Sequence, residues 1–367
     1  MASFWHKGQL SLFLTTQCDL RCTYCYMPKR EVKAEHRFLR LEYARAGIRF
    51  LAENYNSKAI RFFGAGEPTL AFGLMKDIWQ EALATLGPDA SMEIETNGHF
   101  GGGIAAWIEE NADVVWISCD GPPSVQDINR PTAMGGASSP IVEANIRRLS
   151  RRTGLQVGVR ITTRDPSAQH QERLLRYFAE LGVLHIAISP VYYSYVNPEC
   201  QPVSLMEFAK GFVPAFEAAR RLGVSYQTLM TVNFDEDVDV YCQACIPFPR
   251  VTTDGYLSCC DWASLGPEYL QGELEQCLFG RYDDAQGRFI VDVSRRDWIR
   301  TRDAKHLGEG ACAGCPAMRR CVGGCLGKML AATGDMHSAT DDWCSATRFL
   351  FRELPVGKIE LAPVLHP

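Results

Sequence analysis

Short apolar runs alternate with amphipathic periodicity over about the first 225 residues. Residues 10–15, 59–63, 91–96, 113–119, 155–162 and 184–190 read as strands. Six helical patterns lie between and after them. Leu41, Ala44, Ile48 and Leu51 share one face, and Leu174, Phe178 and Leu181 share another. Phe208, Phe212, Ala215, Ala219 and Leu222 make a third, with a kink expected at Pro214. Apolar strands alternating with such helices predict α/β architecture, a parallel sheet covered by helices. Functional loops of such a sheet follow the strand C-termini. The stretch 121–139 is rich in Gly, Pro and Ser and is expected to be irregular.

Beyond residue 225 the pattern changes. Cysteines crowd together, Gly and Pro are frequent, and long periodic helices are not expected. This predicts a smaller unit, 226–350, held by metal rather than by a large core, with 351–367 as a tail. The chain has 367 residues, 22% of them charged, and a net charge of −5, so no basic field points to nucleic acid or an anionic membrane. No apolar run approaches a membrane span and no secretory signal opens the chain. Its 15 cysteines then suggest metal in a reducing, cytoplasmic setting rather than disulfides.

Three of those cysteines, Cys18, Cys22 and Cys25, form a C-x3-C-x2-C triplet just after the first strand. Three thiolates on one loop can hold three irons of a [4Fe–4S] cube and leave the fourth open to a small molecule, whereas electron carriers have four cysteines. Half a zinc site is the other use of such a triplet. Gly64-Ala65-Gly66-Glu67-Pro68 follows the second strand. A dinucleotide loop is the alternative there, but its third glycine would fall at Thr69, and Pro68 lacks an N–H that such a loop needs. The C-terminal cysteines run Cys245-x9-Gly255-x4-Cys260, then Cys312-x2-Cys315-x5-Cys321-x3-Cys325, then Cys344.

The triplet resembles the signature of the radical S-adenosylmethionine (SAM) enzymes. In that family the open iron chelates SAM, whose cleavage gives a 5′-deoxyadenosyl radical that takes a hydrogen atom from substrate. The resemblance implies a partial (β/α)6 barrel over 1–225. Tyr24 holds the family's aromatic position near the adenine. Residues 64–68 resemble its GGEP motif, with Ala65 for the second glycine. It implies that the backbone of Gly64 and Gly66, with Glu67, receives the SAM ammonium. Glu95, Thr96 and Asn97 after strand three, and Ser118 and Asp120 after strand four, resemble positions touching the ribose and methionine. Arg160 resembles an arginine that grips the SAM carboxylate.

The C-terminal string is similar to the SPASM extension of the same enzymes, which holds two auxiliary [4Fe–4S] clusters, making three in all. Seven cysteines match, and Cys242 is the nearest eighth, with Cys259 as competitor. The implied ligand sets are Cys242, Cys245, Cys260 and Cys325 for cluster I, and Cys312, Cys315, Cys321 and Cys344 for cluster II. Cys119, Cys200 and Cys277 match no ligand position, and Cys119 reads as a buried small hydrophobe. Asp261, next to Cys260, resembles the carboxylate that takes a proton from oxidised substrate in anaerobic sulfatase-maturing relatives; a helix cap or turn is its structural alternative. Tyr192, Tyr193 and Tyr195 either line a substrate opening or form an ordinary aromatic loop.

The expected function is oxidative modification of a peptide or protein, as in cross-link or thioether formation in ribosomal peptides. Electrons would come from a flavodoxin- or ferredoxin-type donor. No leader-gripping module fits before Cys18, so a separate recognition protein or a short substrate is expected. Formylglycine formation on a sulfatase is the first alternative. Oxidation of a small alcohol or amino sugar is the second, and a non-catalytic iron–sulfur carrier the third. The intact SAM motifs argue against the carrier.

Overall fold

A computed structural model describes residues 8–25, 27, 32–192, 201–270 and 272–359. The first six strands are β1 (Leu10–Phe13), β2 (Ala59–Phe63), β3 (Ser91–Thr96), β4 (Val114–Ser118), β5 (Gln156–Thr163) and β6 (His185–Pro190). They pair in parallel in chain order, and β7 (Ser225–Gln227) joins β6. The helices of this half are α1 (Leu41–Asn54), α2 (Phe72–Leu86), α3 (Gly102–Asn111), α4 (Pro123–Asn129), α5 (Ser139–Leu149), α6 (Ala168–Glu180) and α7 (Leu205–Leu222). The alternation is that of a partial (β/α)6 barrel, as the family resemblance implies.

The same sheet continues past β1 into the cysteine-rich region. Strand β8 (Arg250–Val251) pairs in parallel with β1, and β9 (Tyr256–Ser258), β10 (Leu278–Asp283) and β11 (Arg288–Val291) follow antiparallel. Short helices follow: α8 (Val293–Arg300), α9 (Ala304–Glu309), α10 (Met318–Cys321), α11 (Leu326–Thr333) and the longer α12 (Asp341–Glu353). Gly47 lets α1 close over the β1–β8 join, since a Cβ there would lie 2.8 Å from Val251 Cγ2. Buried residues on both sides of the join belong to one apolar cluster.

Two expectations need correction. The stretch 121–139 is not irregular throughout, because Pro123–Asn129 forms α4. Proline suits the first turn, where its missing N–H has no partner to lose, so here it starts a helix rather than breaking one. Nor is the C-terminal half without a long amphipathic helix. In α12, Trp343, Ala346, Thr347 and Leu350 are buried at i, i+3, i+4 and i+7, and the helix packs on α7. Thr347 and the intervening Cys344 obscure that stripe in the sequence. The helix runs through 350/351, where the tail was expected to start. Helix α7 runs unbroken past Pro214; Ser204 caps it by accepting from the Glu207 N–H, and Gly223 ends it in a left-handed turn.

Candidate active site

The C-terminal ends of β1–β4 converge on the cysteine triplet. After β1, the Thr15 and Gln17 carbonyls accept from the Gly66 and Glu67 N–H groups at 2.8 and 2.7 Å. The approach is so close that a Cβ on Gly66 would lie 2.0 Å from the Gln17 oxygen, and one on Gly64 2.0 Å from the Gly66 oxygen. Glycine is therefore required at both positions, and Ala65 between them is buried.

Glu67 turns into the protein. Its Oε1 accepts from the Thr69 N–H at 3.0 Å and from the Thr69 and Thr96 hydroxyls at 2.7 Å each, and its Oε2 from the Asn97 N–H at 2.6 Å. With three of these bonds on Oε1 and one on Oε2, the carboxylate ties the second loop to the third while Oε2 keeps an acceptor site. Burial pushes its pKa up against those four donors. The Asn97 amide donates to Asp19 at 2.8 Å and reaches Cys18 Sγ at 3.9 Å, and His99 Nδ1 pairs with Asp19 at 2.7 Å.

The triplet loop is braced from α4 and the segment after it. Thr23 N–H donates to Asn129, Arg21 N–H to Pro131, and Ala133 N–H to Asp19, at 2.7 to 2.9 Å. Tyr24 donates its hydroxyl to Asp120 at 2.7 Å and accepts from Arg130 at 2.8 Å. Asp120 also accepts from Asn129 and from the Thr162 N–H. The Cys18, Cys22 and Cys25 thiols interact with one another, and burial pushes the first two up to about 11 and Cys25 in the same direction. Three half-buried thiols that resist ionisation alone, yet sit together, are a donor set that metal binding would deprotonate.

Below this rim the barrel interior holds a buried ion network. Arg61 of β2 donates to Ser11 at 2.9 Å, to Glu95 at 2.8 Å and to Asp261 at 2.5 Å. Arg250 of β8 donates to the same Asp261 oxygen, Oδ1, at 2.6 Å. Arg160 lies 3.4 Å from Glu95 and over the Trp116 ring. Burial would raise the Asp261 carboxyl, but the guanidiniums of Arg61 and Arg250 outweigh it and hold it well below the usual range. Burial pushes nearby Glu93 up to about 7, against Arg61 and with the repulsion of Glu95.

The C-terminal cysteines fall into two groups. Cys242 lies with Cys245 and Cys260, and Cys325 with Cys260 and Cys242. Cys321 lies with Cys312, Cys315 and Cys344. Cys277 lies beside both Cys259 and Cys260: its carbonyl accepts from the Cys259 N–H at 2.9 Å, and its thiol bonds with both of their thiols. The turn 321–325 is left-handed at Val322, Gly323 and Gly324, and the buried Arg302 donates to both glycine carbonyls. A Cβ on Gly324 would lie 2.4 Å from Trp343 Nε1. Zinc holds its thiolates at about 2.3 Å; among the described residues no three His, Cys, Asp or Glu side chains gather as single-ion ligands.

Cys119 is buried, as expected. Tyr192 lies between the two halves of the chain, beside Trp343 and Lys328. Tyr193, Tyr195 and Cys200 lie outside the described residues. The sequence reading missed Arg61, Arg130, Arg250, Arg302 and Lys328. A signal existed for Arg61: a charge inside an otherwise apolar parallel strand has to find a buried partner.

A parallel sheet whose strand ends present a thiol triplet beside a glycine cradle defines a protein class with a cofactor site at the sheet's C-terminal rim. Residues 12–162 match the profile of the radical SAM superfamily, so the chain carries a radical SAM domain. It is 26% identical over 175 residues to the cysteine-type anaerobic sulfatase-maturating enzyme of Clostridium perfringens, a match covering 44% of this chain and 46% of that enzyme. Among solved structures, native anSMEcpe with bound AdoMet aligns at a TM-score of 0.74 and 17% identity, covering 94% of this chain and 96% of that one. Streptococcus suis SuiB bound to precursor peptide SuiA aligns at 0.65 and 14% identity, covering 93% and 76%. These likenesses establish a shared fold. No helix among the described residues is long and apolar enough to cross a membrane.

Proposed function

We propose that this protein is a radical SAM enzyme that oxidatively modifies a residue of a peptide or protein. It would hold SAM at a cluster on Cys18, Cys22 and Cys25, and two auxiliary clusters on the C-terminal cysteines. The observation that carries the reading is convergence. The half-buried triplet and the Gly64–Gly66 cradle share one rim, and Arg61 ties the strand below that cradle to Asp261, beside Cys260. Two groups of four cysteines, as the SPASM resemblance implies, support two further clusters. The grouping of Cys242 with Cys245, Cys260 and Cys325 favours it over Cys259 as the fourth ligand.

When bound, SAM and its cluster supply the hydrogen-abstracting radical. The chain's own groups do the rest. Backbone carbonyls of residues 64–66 would meet the SAM ammonium together with Glu67, whose Oε2 accepts the Asn97 N–H. Asp261 presents Oδ2, the oxygen not taken by the arginines, as proton acceptor for the oxidised substrate. Solved structures of anSMEcpe with bound peptide and of SuiB with SuiA support a peptide substrate for a chain of this fold. A cytoplasmic site of action and a small redox protein as electron donor fit this chemistry.

The Cys260–Asp261 pair and the similarity to a sulfatase-maturating enzyme favour a second reading equally, formylglycine formation on a sulfatase. Anaerobically reconstituted protein, reduced by dithionite and given SAM, should release 5′-deoxyadenosine and carry about twelve irons. The Cys18→Ala/Cys22→Ala/Cys25→Ala variant should lose about four irons and release none. Stoichiometric zinc in place of iron, or normal SAM cleavage by the variant, would overturn the reading. Assay against a sulfatase-derived peptide and against short peptides encoded near the gene separates the two substrates.

A further inference from the structure

The triplet loop lies against the segment that follows α4. Residues 19–23 and 129–133 pair in antiparallel fashion around a Leu20–Thr132 bridge. The Arg21 N–H donates to Pro131 at 2.8 Å, that of Thr23 to Asn129 at 2.9 Å and that of Ala133 to Asp19 at 2.7 Å. Side chains alternate across such a pair. Leu20 is buried and Cys22 half-buried, while Arg21 and Thr23 are exposed. On this side a single layer of backbone therefore separates Cys22 from solvent.

The same face carries the two most exposed large apolar side chains among the described residues, Met134 at 95% and Ile128 at 71%. Met134 stands at the tip of a turn. The Gly135 N–H closes it on the Thr132 carbonyl and the Gly136 N–H on the Thr132 hydroxyl, at 2.9 Å each, with Gly135 left-handed at φ 80°. Ile128 is on α4, which buries Gln126 and Asn129 instead, and Asn129 is the residue that holds Thr23.

Charge gives this face a direction. Arg21 folds back over the loop to donate to the Cys18 and Leu20 carbonyls at 2.7 and 2.8 Å. Arg164, also exposed, donates to the Thr23 hydroxyl at 3.0 Å. The neighbouring carboxylates are engaged locally: Asp19 by His99 and Asn97, Asp127 by Ser138 and Ser139, and Asp165 by the Ser167 N–H. Two arginines beside exposed methionine and isoleucine thus make a positive, apolar spot on a chain of net charge −5. Transient electron-transfer encounters bury little area, less than about 1,200 Å² in total, and a flexible Met suits such a contact.

We propose that the outer face of the triplet loop, formed by Arg21, Thr23, Ile128, Met134 and Arg164, is the docking surface for a small acidic electron-carrier protein. This rests on the reading of the triplet as a cluster site made above. Carboxylates of the carrier meet the two arginines, and the negative charge of the rest of the chain turns it away from other faces. In the docked pair the reduced carrier, of flavodoxin or ferredoxin type, loses one electron to the cluster on the far side of the loop. No bond forms or breaks in that transfer.

The test compares two reductants of the reconstituted holoenzyme. Dithionite is small and needs no docking surface, whereas a flavodoxin does. Met134→Glu/Ile128→Glu should keep wild-type iron and wild-type 5′-deoxyadenosine release with dithionite. It should raise the Kd for oxidised flavodoxin, read by anaerobic calorimetry, and the KM for reduced flavodoxin, each by about tenfold or more. Met134→Lys/Ile128→Lys should lower both. Unchanged Kd and KM in the Glu variant would overturn the proposal. So would a raised KM for peptide substrate, or loss of a dimer in sedimentation, with flavodoxin binding intact. If the Glu variant loses iron, the Lys variant decides, and binding no tighter than wild type overturns the proposal. Wild-type enzyme that works with dithionite but with neither flavodoxin nor a [2Fe–2S] ferredoxin would sink the docking surface alone. No 5′-deoxyadenosine with any reductant would sink the cluster reading, and the proposal with it.

Discussion

Replacing Asp261 with Asn removes a negative charge gripped on one oxygen by two buried guanidiniums, at 2.5 Å from Arg61 and 2.6 Å from Arg250. At about 4 Å between charge centres and an effective dielectric of about 20, each attraction is on the order of 4 kcal/mol before desolvation. Removing one partner of a buried pair costs about 3–5 kcal/mol net. Asn keeps an acceptor oxygen for both arginines, and Arg61 retains Glu95, so the lower end is expected, with a fall in Tm on the order of 5 °C. The chemical effect is separate. SAM cleavage needs no base here, so release of 5′-deoxyadenosine should persist. Product formation should drop, because general-base removal costs about 10² to 10⁴. The arginines hold the Asp261 carboxyl low, which makes it a weak base, so about 10² is the figure to expect. Mass-detected chromatography of 5′-deoxyadenosine and modified peptide in one reaction, beside anaerobic thermal unfolding, measures all three. Product at the wild-type rate in a variant with the expected Tm loss would refute the base assignment and leave Asp261 as the keystone of an ion network. Loss of both products with loss of iron would refute it too, by tracing the defect to the Cys260 neighbourhood.

Two further outcomes follow from the rim and the interior. Gly66→Ala should abolish SAM-dependent 5′-deoxyadenosine release while auxiliary iron is retained, because the added methyl would sit 2.0 Å from the Gln17 carbonyl oxygen; wild-type release would show that the cradle yields. Glu93, pushed up to about 7 by burial, binds its proton more tightly folded than unfolded, so it costs stability progressively as pH rises from about 4.5 to 7. Glu93→Gln should therefore raise Tm above pH 7 and converge with wild type below pH ~4.5, and an equal gain at all pH values would refute the linkage.

The six barrel strands were legible because each is a short apolar run bounded by turn residues, and five of the six begin and end within one residue of expectation; only β1, at Leu10–Phe13, stops two residues early. The two groups of four came from the SPASM resemblance; spacing alone keeps Cys312 near Cys315 but does not send Cys325 to Cys242 and Cys260 while Cys321, four residues before it, joins Cys312 and Cys344. The ion network was not legible. Arg61 and Asp261 are 200 positions apart, and nothing local to either names the other. Glu67 was placed correctly on its loop, but its partners, Thr69, Thr96 and Asn97, come partly from the next strand, so its inward turn is a tertiary fact. Strands β8 and β9 are two and three residues long, too short for alternation to register. Their existence depends on the free edge of β1, not on their own sequence.

That edge bears on the chemistry. In an open parallel barrel β1 would keep one side unpaired, and exposed edges invite wrong partners. Here β8 covers it, with Ser11 opposite Arg250 in register. The pairing brings Arg250 into the barrel interior and places the β9 turn, with Cys260 and Asp261, next to Arg61. One side chain, Arg61, then links three elements: Ser11 on the strand before the triplet, Glu95 on the strand before Asn97, and Asp261 beside Cys260. It also belongs to the strand that leads into Gly64. The relation between the cradle and Asp261 is thus set by a buried, multiply bonded guanidinium rather than by a flexible linker. Such positioning suits chemistry in which hydrogen atom and proton leave the same substrate residue toward different groups, since small displacements of either group are costly in rate.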